Sequence, residues 1–215
     1  MNIPIFPLQL IVFPGESLNL HIFEQKYRQL FADLKSGTIT FFGIPPVVDH
    51  QMHAFGTRLI LTDIVKNYPG GEMDVSTQGI DVFKLGGILA NGGQKLYAEA
   101  TVDLITHDSS YDFLKFEELR GLYLEFQDLM AAQKEIDVVD GDGYSFKIAH
   151  YIGLSEVQKL ALLEIVSEFD RQDYLIQHLK LIIPSMRNIK ETQARITANG
   201  HFKNLKSFNF TQGES

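Results

Sequence analysis

Residues 5–24 read IFPLQLIVFPGESLNLHIFE and hold two Phe-Pro pairs around a short apolar run. Proline fixes φ at about −65° and has no backbone N–H group, so it is tolerated in a sheet only at an edge or a corner. Pro14-Gly15 has the residue types of a tight turn, because proline suits the second position and glycine the position of positive φ after it. The stretch therefore predicts strands that reverse at Pro14-Gly15, which is an architectural role.

The residues that follow change the apolar period from two to three and four. One helical face carries Phe23, Tyr27, Leu30 and Phe31. This spacing predicts a short amphipathic helix over Phe23–Phe31 that lies across one end of the sheet. The solvent face of that helix supplies the predicted binding surface, which consists of Gln25, Lys26 and Gln29.

The spacing of apolar residues differs between the two halves of the chain. Up to about residue 106, short β-like runs alternate with turn residues, and this spacing predicts a closed or nearly closed sheet. The runs are Ile3–Phe6, Leu8–Phe13, Ser17–His21, Thr38–Pro45, Gly56–Lys66, Met73–Leu85 and Leu96–Ile105. From about residue 110 the apolar residues recur at three and four, which predicts helices.

Signals for helix ends support the helical second half. Ser155 with Gln158 predicts a capping box, and Asp170 is predicted to cap the last helix. Pro184 lies inside that last pattern and predicts that the helix kinks there, or ends and restarts. We therefore expect a sheet subdomain over residues 1–108, a helical subdomain over 109–200 and a loosely ordered tail over 201–215.

The composition is that of a globular chain. Its 215 residues are 45% hydrophobic, and a chain of this length can bury roughly 70% of its unfolded surface. Acidic and basic residues number 27 and 19, which gives a formal net charge of −8. That charge opposes a phosphate backbone and no basic stripe compensates for it, so nucleic acid is not an expected partner.

Cysteine content and hydropathy exclude several further classes of protein. The absence of cysteine excludes disulfides, thiolate metal ligands and a cysteine nucleophile. Neither a run of about 18 apolar residues nor a secretory leader pattern is present. We therefore expect a soluble, cytoplasmic protein without a membrane partner.

Motifs for phosphate and metal binding are incomplete. The nearest approach to a phosphate-binding loop, residues 87–95, has glycine at the lysine position, and Asn91-Gly92-Gly93 predicts a hairpin turn instead. The histidines of Asp49–His53 lack a further convergent ligand, so a solvated loop is the favoured interpretation. The segment Asp140–Gly143 resembles part of a calcium loop but fails at both ends of the motif and predicts a turn. We therefore predict no metal and no cofactor.

Catalytic residues are equally hard to assign. Ser155 and Lys159 share a helix face, but the serine fits better as a helix cap. His21 and Glu24 could form an acid–base pair, although a structural role is favoured for each. We therefore predict that the chain is not an enzyme.

The opening of the chain resembles the start of a known family, the LON substrate-binding domain found at the N-terminus of Lon proteases. The residues that carry the resemblance are Pro4-Ile5-Phe6-Pro7-Leu8, Val12-Phe13-Pro14-Gly15, Leu18, Leu20, Ile22-Phe23-Glu24 and Tyr27-Arg28. Agreement continues to about residue 185, with departures at Gln25-Lys26 and Val82. The resemblance implies an α+β fold, a PUA-like β pseudobarrel followed by a C-terminal helical subdomain.

The resemblance also implies a function. Lon proteases continue into ATPase and protease modules that these 215 residues do not contain, so we expect a non-enzymatic, stand-alone module that binds unfolded or extended polypeptide clients. An ATPase or protease is an open second partner. Two alternatives remain: an RNA-binding PUA-like module, and an uncharacterised small-molecule-binding enzyme with its site between barrel and helices.

Overall fold

The computed structural model describes residues 1–89, 95–108, 110–130 and 143–206, with side chains described up to residue 197. The predicted turns at Asn91-Gly92-Gly93 and Asp140–Asp142 lie outside these residues, as does the tail beyond residue 206. The strands are β1 Asn2–Pro4, β2 Ser17–Ile22, β3 Phe42–Ile44, β4 Val47–Val48, β5 Gln51–Met52, β6 Phe55–Asn67, β7 Met73–Leu89 and β8 Glu99–Leu104. The helices are α1 Gln25–Ser36, α2 Phe113–Met130, α3 Tyr144–Ile148, α4 Glu156–Glu164 and α5 Glu168–Lys206, with a 3₁₀ turn at Ala149–Tyr151.

The main sheet is antiparallel and closes on itself. Its strands follow the order β1-β8-β7-β6-β3, and β2 pairs with a further part of β7. The chain that leaves β1 then bridges to the other end of this order, because Ile5 pairs with Gly43 in a parallel bridge. The Ile5 N–H group donates to Ala98 O at 2.9 Å and the next N–H group, from Phe6, donates to Gly43 O at 2.8 Å. The closed sheet predicted from the strand spacing is therefore present.

The turn at Pro14-Gly15 is confirmed, but the strand predicted over Leu8–Phe13 is not. The Glu16 N–H group donates to Phe13 O at 3.1 Å, and Gly15 has a φ of 82°, as a proline–glycine turn requires. Within Leu8–Phe13, Leu8 alone makes a strand bridge. Instead, the Phe13 N–H group donates to the side chain of Glu16 and Val12 O accepts from the Thr57 hydroxyl, so side chains replace a strand ladder.

Helix α1 forms where the apolar period changes, but Phe23 does not belong to its buried face. The backbone of Glu24 is extended, with φ −68° and ψ 135°, and it precedes the first helical residue. Phe23 therefore lies outside the helix and is 63% exposed, contrary to its predicted position. The buried face consists of Tyr27, Leu30, Phe31 and Leu34, and the ring of Phe6 stacks on Tyr27 with centroids 3.8 Å apart.

Helices α2 and α5 pack side by side and run parallel. Their salt bridges join Glu118 to Lys180, Glu125 to Arg187 and Asp128 to Lys190. Each basic residue lies 62 residues beyond its acidic partner. A constant offset requires parallel helices, because an antiparallel pair would have a constant sum.

The helix ends test three predictions from the sequence. Ser155 and Gln158 form the predicted capping box, in which each side chain bonds the backbone N–H group of the other. The predicted cap at Asp170 is wrong, because α5 begins at Glu168 and Ser167 accepts the Asp170 N–H group at 3.4 Å. Helix α5 also continues through Pro184 to Lys206. The proline is exposed, so the carbonyl group that it leaves without a partner can bond to water.

Candidate functional site

Strand β6 has two halves that differ in their neighbours. Its first half, Phe55–Leu59, pairs with β7. On the other side of this half, residues 57–59 pair with β3, and the pairing stops at Leu59 opposite Phe42. The packing here is tight, because a Cβ atom on Gly56 would lie 2.6 Å from both Ile44 O and a ring carbon of Phe83. We call Phe55–Leu59 the closed half of β6.

The second half of β6, residues 60–67, continues without β3. It pairs with β7 from Ile60 opposite Gln78 to Asn67 opposite Met73. On its other side, no strand pairs with residues 60–67 among the residues that the structure describes. We call residues 60–67 the open half of β6.

The short length of β3 explains why this half is open. Gly37 ends α1 with a φ of 75° and donates its N–H group to Leu34 O. The Ile39 N–H group then donates to Asp33 O at 3.3 Å, which keeps the connection on the end of the helix. The chain therefore reaches β6 only at Phe42, although the sequence predicted a strand from Thr38.

A groove separates the end of α1 from the open half of β6. It has a volume of about 600 Å³, and we call it the α1–β6 groove. One wall is formed by Leu34, Ile39 and Thr40, and the other by Ile60, Leu61 and Ile64. Its size is within the range of ligand-binding clefts.

The charges and backbone of the groove set limits on its ligand. Lys35 and Asp63, which have opposite charges, line it, so the groove has no net preference for an anion or a cation. Two register shifts in the open half leave Thr62 and Val65 without partners on β7. Such bulges strengthen the local twist and disfavour edge-to-edge pairing of flat sheets.

The three residues of the predicted binding surface lie at the other end of α1. Gln25 and Lys26 are exposed in its first turn, and Lys26 pairs with Glu24 at 3.0 Å. Gln29 is half-buried and accepts the Leu96 N–H group at 2.7 Å, so it anchors the helix to the segment before β8. About 14 Å of helix separates Lys26 from Lys35. The binding role of Gln25, Lys26 and Gln29 stays a prediction.

His21 and Glu24, for which the sequence favoured structural roles over an acid–base pair, each bond another residue, and Glu24 pairs with Lys26. His21 Nδ1 lies 2.6 Å from Asp74 Oδ1, and the Tyr68 hydroxyl donates to Asp74 Oδ2 at 2.8 Å. These two bonds, that of His21 first, lower the pKa of Asp74. The cluster is exposed. Its hydrogen bonds join His21 of β2 and Tyr68, which follows β6, to Asp74 of β7.

The other predicted candidates have structural contacts. Asp49 and His50, with φ of 49° and 64°, form the two-residue turn between β4 and β5. His53 lies 3.4 Å from the carboxylate of Glu164. Among the described residues, no group of three His, Cys, Asp or Glu side chains is arranged to hold a metal ion. None of the described helices has the length and apolar composition needed to cross a bilayer.

A buried polar cluster that the sequence analysis missed joins α3 to the start of α5. The Glu168 carboxylate accepts from the Arg171 guanidinium at 2.8 Å and from the Ser145 hydroxyl at 2.7 Å. Arg171 also donates to Ile165 O at 2.8 Å. The two buried charges therefore bond each other, a serine hydroxyl and a backbone carbonyl. All three side chains are at most 2% exposed. The cluster holds the two helices together.

His107 lies beside this cluster, with its ring edge against Phe146 at a centroid distance of 5.5 Å. Burial lowers the pKa of His107 to about 4, and the nearby Arg171 guanidinium contributes in the same direction while Asp81 opposes it. Its Nε2 atom is buried and has no hydrogen-bond partner in the part of the chain that the structure describes. The imidazole is therefore neutral at physiological pH.

The antiparallel sheet and the C-terminal helices form a mixed α/β fold that solved structures share. A Lon N-terminal domain protein from Xanthomonas campestris shares the fold, with a TM-score of 0.64, 21% identity, and coverage of 82% of this chain and 98% of that one. The N-terminal domain of a Mycobacterium avium complex Lon protease matches with a TM-score of 0.62 and 16% identity, over 84% of this chain and 98% of that one.

The family follows from a separate match. Residues 2–181 match the ATP-dependent protease La (LON) substrate-binding domain, and the chain belongs to this family. No curated protein matches the chain. The resemblance noted in the sequence and the predicted α+β class, with a helical C-terminal part, are thus confirmed. The PUA-like description of the barrel and the domain boundaries stay predictions.

Proposed function

We propose that this protein is a non-enzymatic module that binds unfolded or extended polypeptides. The observation that carries the proposal is the apolar α1–β6 groove beside a strand edge that lacks a partner among the described residues. Apolar side chains on both walls suit the side chains that an unfolded chain exposes.

The family supports the same proposal. Its name describes a substrate-binding domain of an ATP-dependent protease, and the substrate of a protease is a polypeptide. By the same reasoning we propose an ATP-dependent protease as a second partner. We place this activity in the cytoplasm.

The charge distribution favours polypeptide over RNA. The chain has a formal net charge of −8, and Lys35 in the groove lining is matched by Asp63. A phosphate backbone gains its affinity from several cationic contacts, which this groove does not supply. An uncharged apolar segment gains its affinity from the burial of apolar surface and does not depend on cationic contacts.

A direct comparison of ligands tests the proposal. The full chain is immobilised and offered reduced, carboxymethylated α-lactalbumin, which is permanently unfolded, or a structured RNA hairpin, at about 150 mM salt, where weak charge contacts are screened. We expect the unfolded polypeptide to be retained and the RNA to pass through. Native α-lactalbumin is the matched control and should also pass. Retention of the RNA alone, or of no ligand, contradicts the proposal.

A further inference from the structure

We propose that the open half of β6 binds an extended apolar segment of a polypeptide as an additional β-strand, in the position that a longer β3 would fill. The inference rests on the proposed function, because it takes the ligand to be a polypeptide. It adds the conformation of the ligand, the edge that binds it and the kind of segment that is selected.

The unpaired backbone of the open half carries the argument. A strand directs N–H and C=O groups to both of its sides, and residues 60–67 use one side to pair with β7. Their other side has no strand partner in the described part of the chain. Another polypeptide backbone, placed about 4.8 Å away, has donors and acceptors at the spacing that this edge requires.

The α1–β6 groove lies beside residues 60–64 of this edge. These five residues extend over about 16 Å, which is enough for a ladder of several hydrogen bonds. Leu34 and Ile39 on the far wall and Ile64 on the near wall give the bound segment apolar contacts. A helix is about 10 Å wide and would satisfy none of the edge groups, so an extended ligand fits this site better.

The same region limits which chains can pair. The bulges at Thr62 and Val65 twist the edge. A second folded copy would have the same rigid, twisted edge, which disfavours edge-to-edge pairing of two copies. A single flexible strand can follow the twist. The opposite charges of Lys35 and Asp63 add no net attraction for a charged segment, so we expect selection for uncharged residues with alternating apolar side chains.

Backbone methylation tests the binding mode. The probe is the peptide Lys-Thr-Val-Thr-Val-Thr-Val-Lys, made unmodified and as two isomers that are N-methylated at the odd or at the even residues. A strand donates only every second N–H group to one neighbour, so one isomer should lose about tenfold or more in affinity, whereas the other should stay within about threefold of the unmodified peptide. Equal affinity of the two isomers, or equal loss in both, overturns the inference.

A variant that fills the groove tests the location. Thr40 is exposed and lines the groove, so Thr40→Trp places a large ring there with little expected effect on folding. Ala32→Trp is the matched control, because Ala32 is exposed on α1 and does not line the groove. We expect Thr40→Trp to weaken peptide binding about tenfold or more and Ala32→Trp to leave it within about threefold. Equal effects of the two substitutions contradict the proposed location.

Contacts observed by NMR complete the test and separate the two proposals. Nuclear Overhauser effects between the backbone of the bound probe and residues 60–64 support the inference. Effects that map to β2, whose outer edge also lacks a strand among the described residues, overturn it. If unfolded α-lactalbumin binds but ignores Thr40→Trp, the proposed function stands and the strand-addition site fails; if it does not bind at all, the proposed function itself fails.

Discussion

The two halves of β6 belong to one continuous strand, yet they have opposite properties. In the closed half, neighbouring strands approach so closely that Gly56 has no room for a side chain, and Arg58 forms a two-bond pair with Asp81 at 2.8 and 2.6 Å. In the open half, the strand has a partner on one side and a groove on the other. In β6, the closed half therefore contributes to stability and the open half remains available for binding. The two properties lie in different halves because groups used for packing are not available to a ligand.

The largest expected effect is on the packing against the closed half, at Phe83 of β7, which lies opposite Gly56. Phe83 is fully buried between β6, β8 and the start of the chain, so Phe83→Ala should lower the free energy of unfolding by about 3–5 kcal/mol. Ile64→Ala, in the half-buried wall of the groove, should lower it by about 1–1.5 kcal/mol. Chemical denaturation measures both values. Similar losses would show that the two halves contribute equally to the core.

The second effect concerns the glycine of the closed half. Gly56→Ala should lower the free energy of unfolding by about 1–3 kcal/mol, because the added methyl group meets the carbonyl oxygen of Ile44 and the ring of Phe83. Gly87→Ala is the control, since a Cβ atom there has no neighbour within 4 Å, and it should change stability by less than about 0.5 kcal/mol. Thermal unfolding should show a lower Tm for the first variant by about 2–4 °C per kcal/mol.

The third effect depends on pH and on His107, which lies near Asp81, the β7 partner of Arg58 in the closed half. The pKa of this histidine is lowered from 6.5 to about 4, so the unfolded chain takes up the proton first as the pH falls. Stability from this group is complete above pH 6.5 and is lost between about pH 6.5 and 4, by about 1–2 kcal/mol after allowance for the partial exposure of the ring.

The variant His107→Phe lacks this titration and isolates it from the carboxylates that titrate in the same range. The difference in unfolding free energy between wild type and variant should shift in favour of the variant by that amount as the pH falls from 7 to 4. A difference that does not change with pH would contradict the burial of a neutral imidazole.

The smallest effect is expected in the α1–β6 groove beside the open half. Thr40→Trp should change the free energy of unfolding by less than about 0.5 kcal/mol, because the side chain enters an existing groove. The chain has no other tryptophan, so the fluorescence of the variant reports directly on the polarity of the groove. A destabilisation of several kcal/mol would mean that residues 34–40 and β6 are in closer contact than the groove allows.

The sequence predicted the closed half better than the open half. The Pro14-Gly15 turn, the closed sheet and α1 follow from local residue chemistry, because proline, glycine and the apolar period act within a few residues. The early end of β3 does not, since it depends on the Ile39 N–H group bonding Asp33 O across the end of α1. The sequence predicts strands over Thr38–Pro45 and Gly56–Lys66 without showing where contact between them stops, so the groove between them has no signal in the sequence.

The errors in the predicted positions of residues also arise from contacts that are not local in the sequence. Phe23 fits the apolar period, but the extended backbone at Glu24 starts the helix two residues later. The sequence predicted no role for the Glu168–Arg171 pair, because nothing in the spacing of the two residues shows that α3 covers them. The signal that was available is Ser167, a good cap residue directly before Glu168, which identifies the true start of α5.

The parallel pairing of α2 with α5 has a mechanical consequence. Helix α5 is fixed at its base by the buried Arg171 and is held along its side by salt bridges up to Lys190. Its 39 residues make a rod about 58 Å long. The salt bridges with α2 end at Lys190, and residues 191–206 rise about 24 Å beyond it. A tilt of about two to three degrees at Lys190 therefore moves the far end by about 1 Å, so small adjustments inside the folded body become measurable displacements at a distance from it.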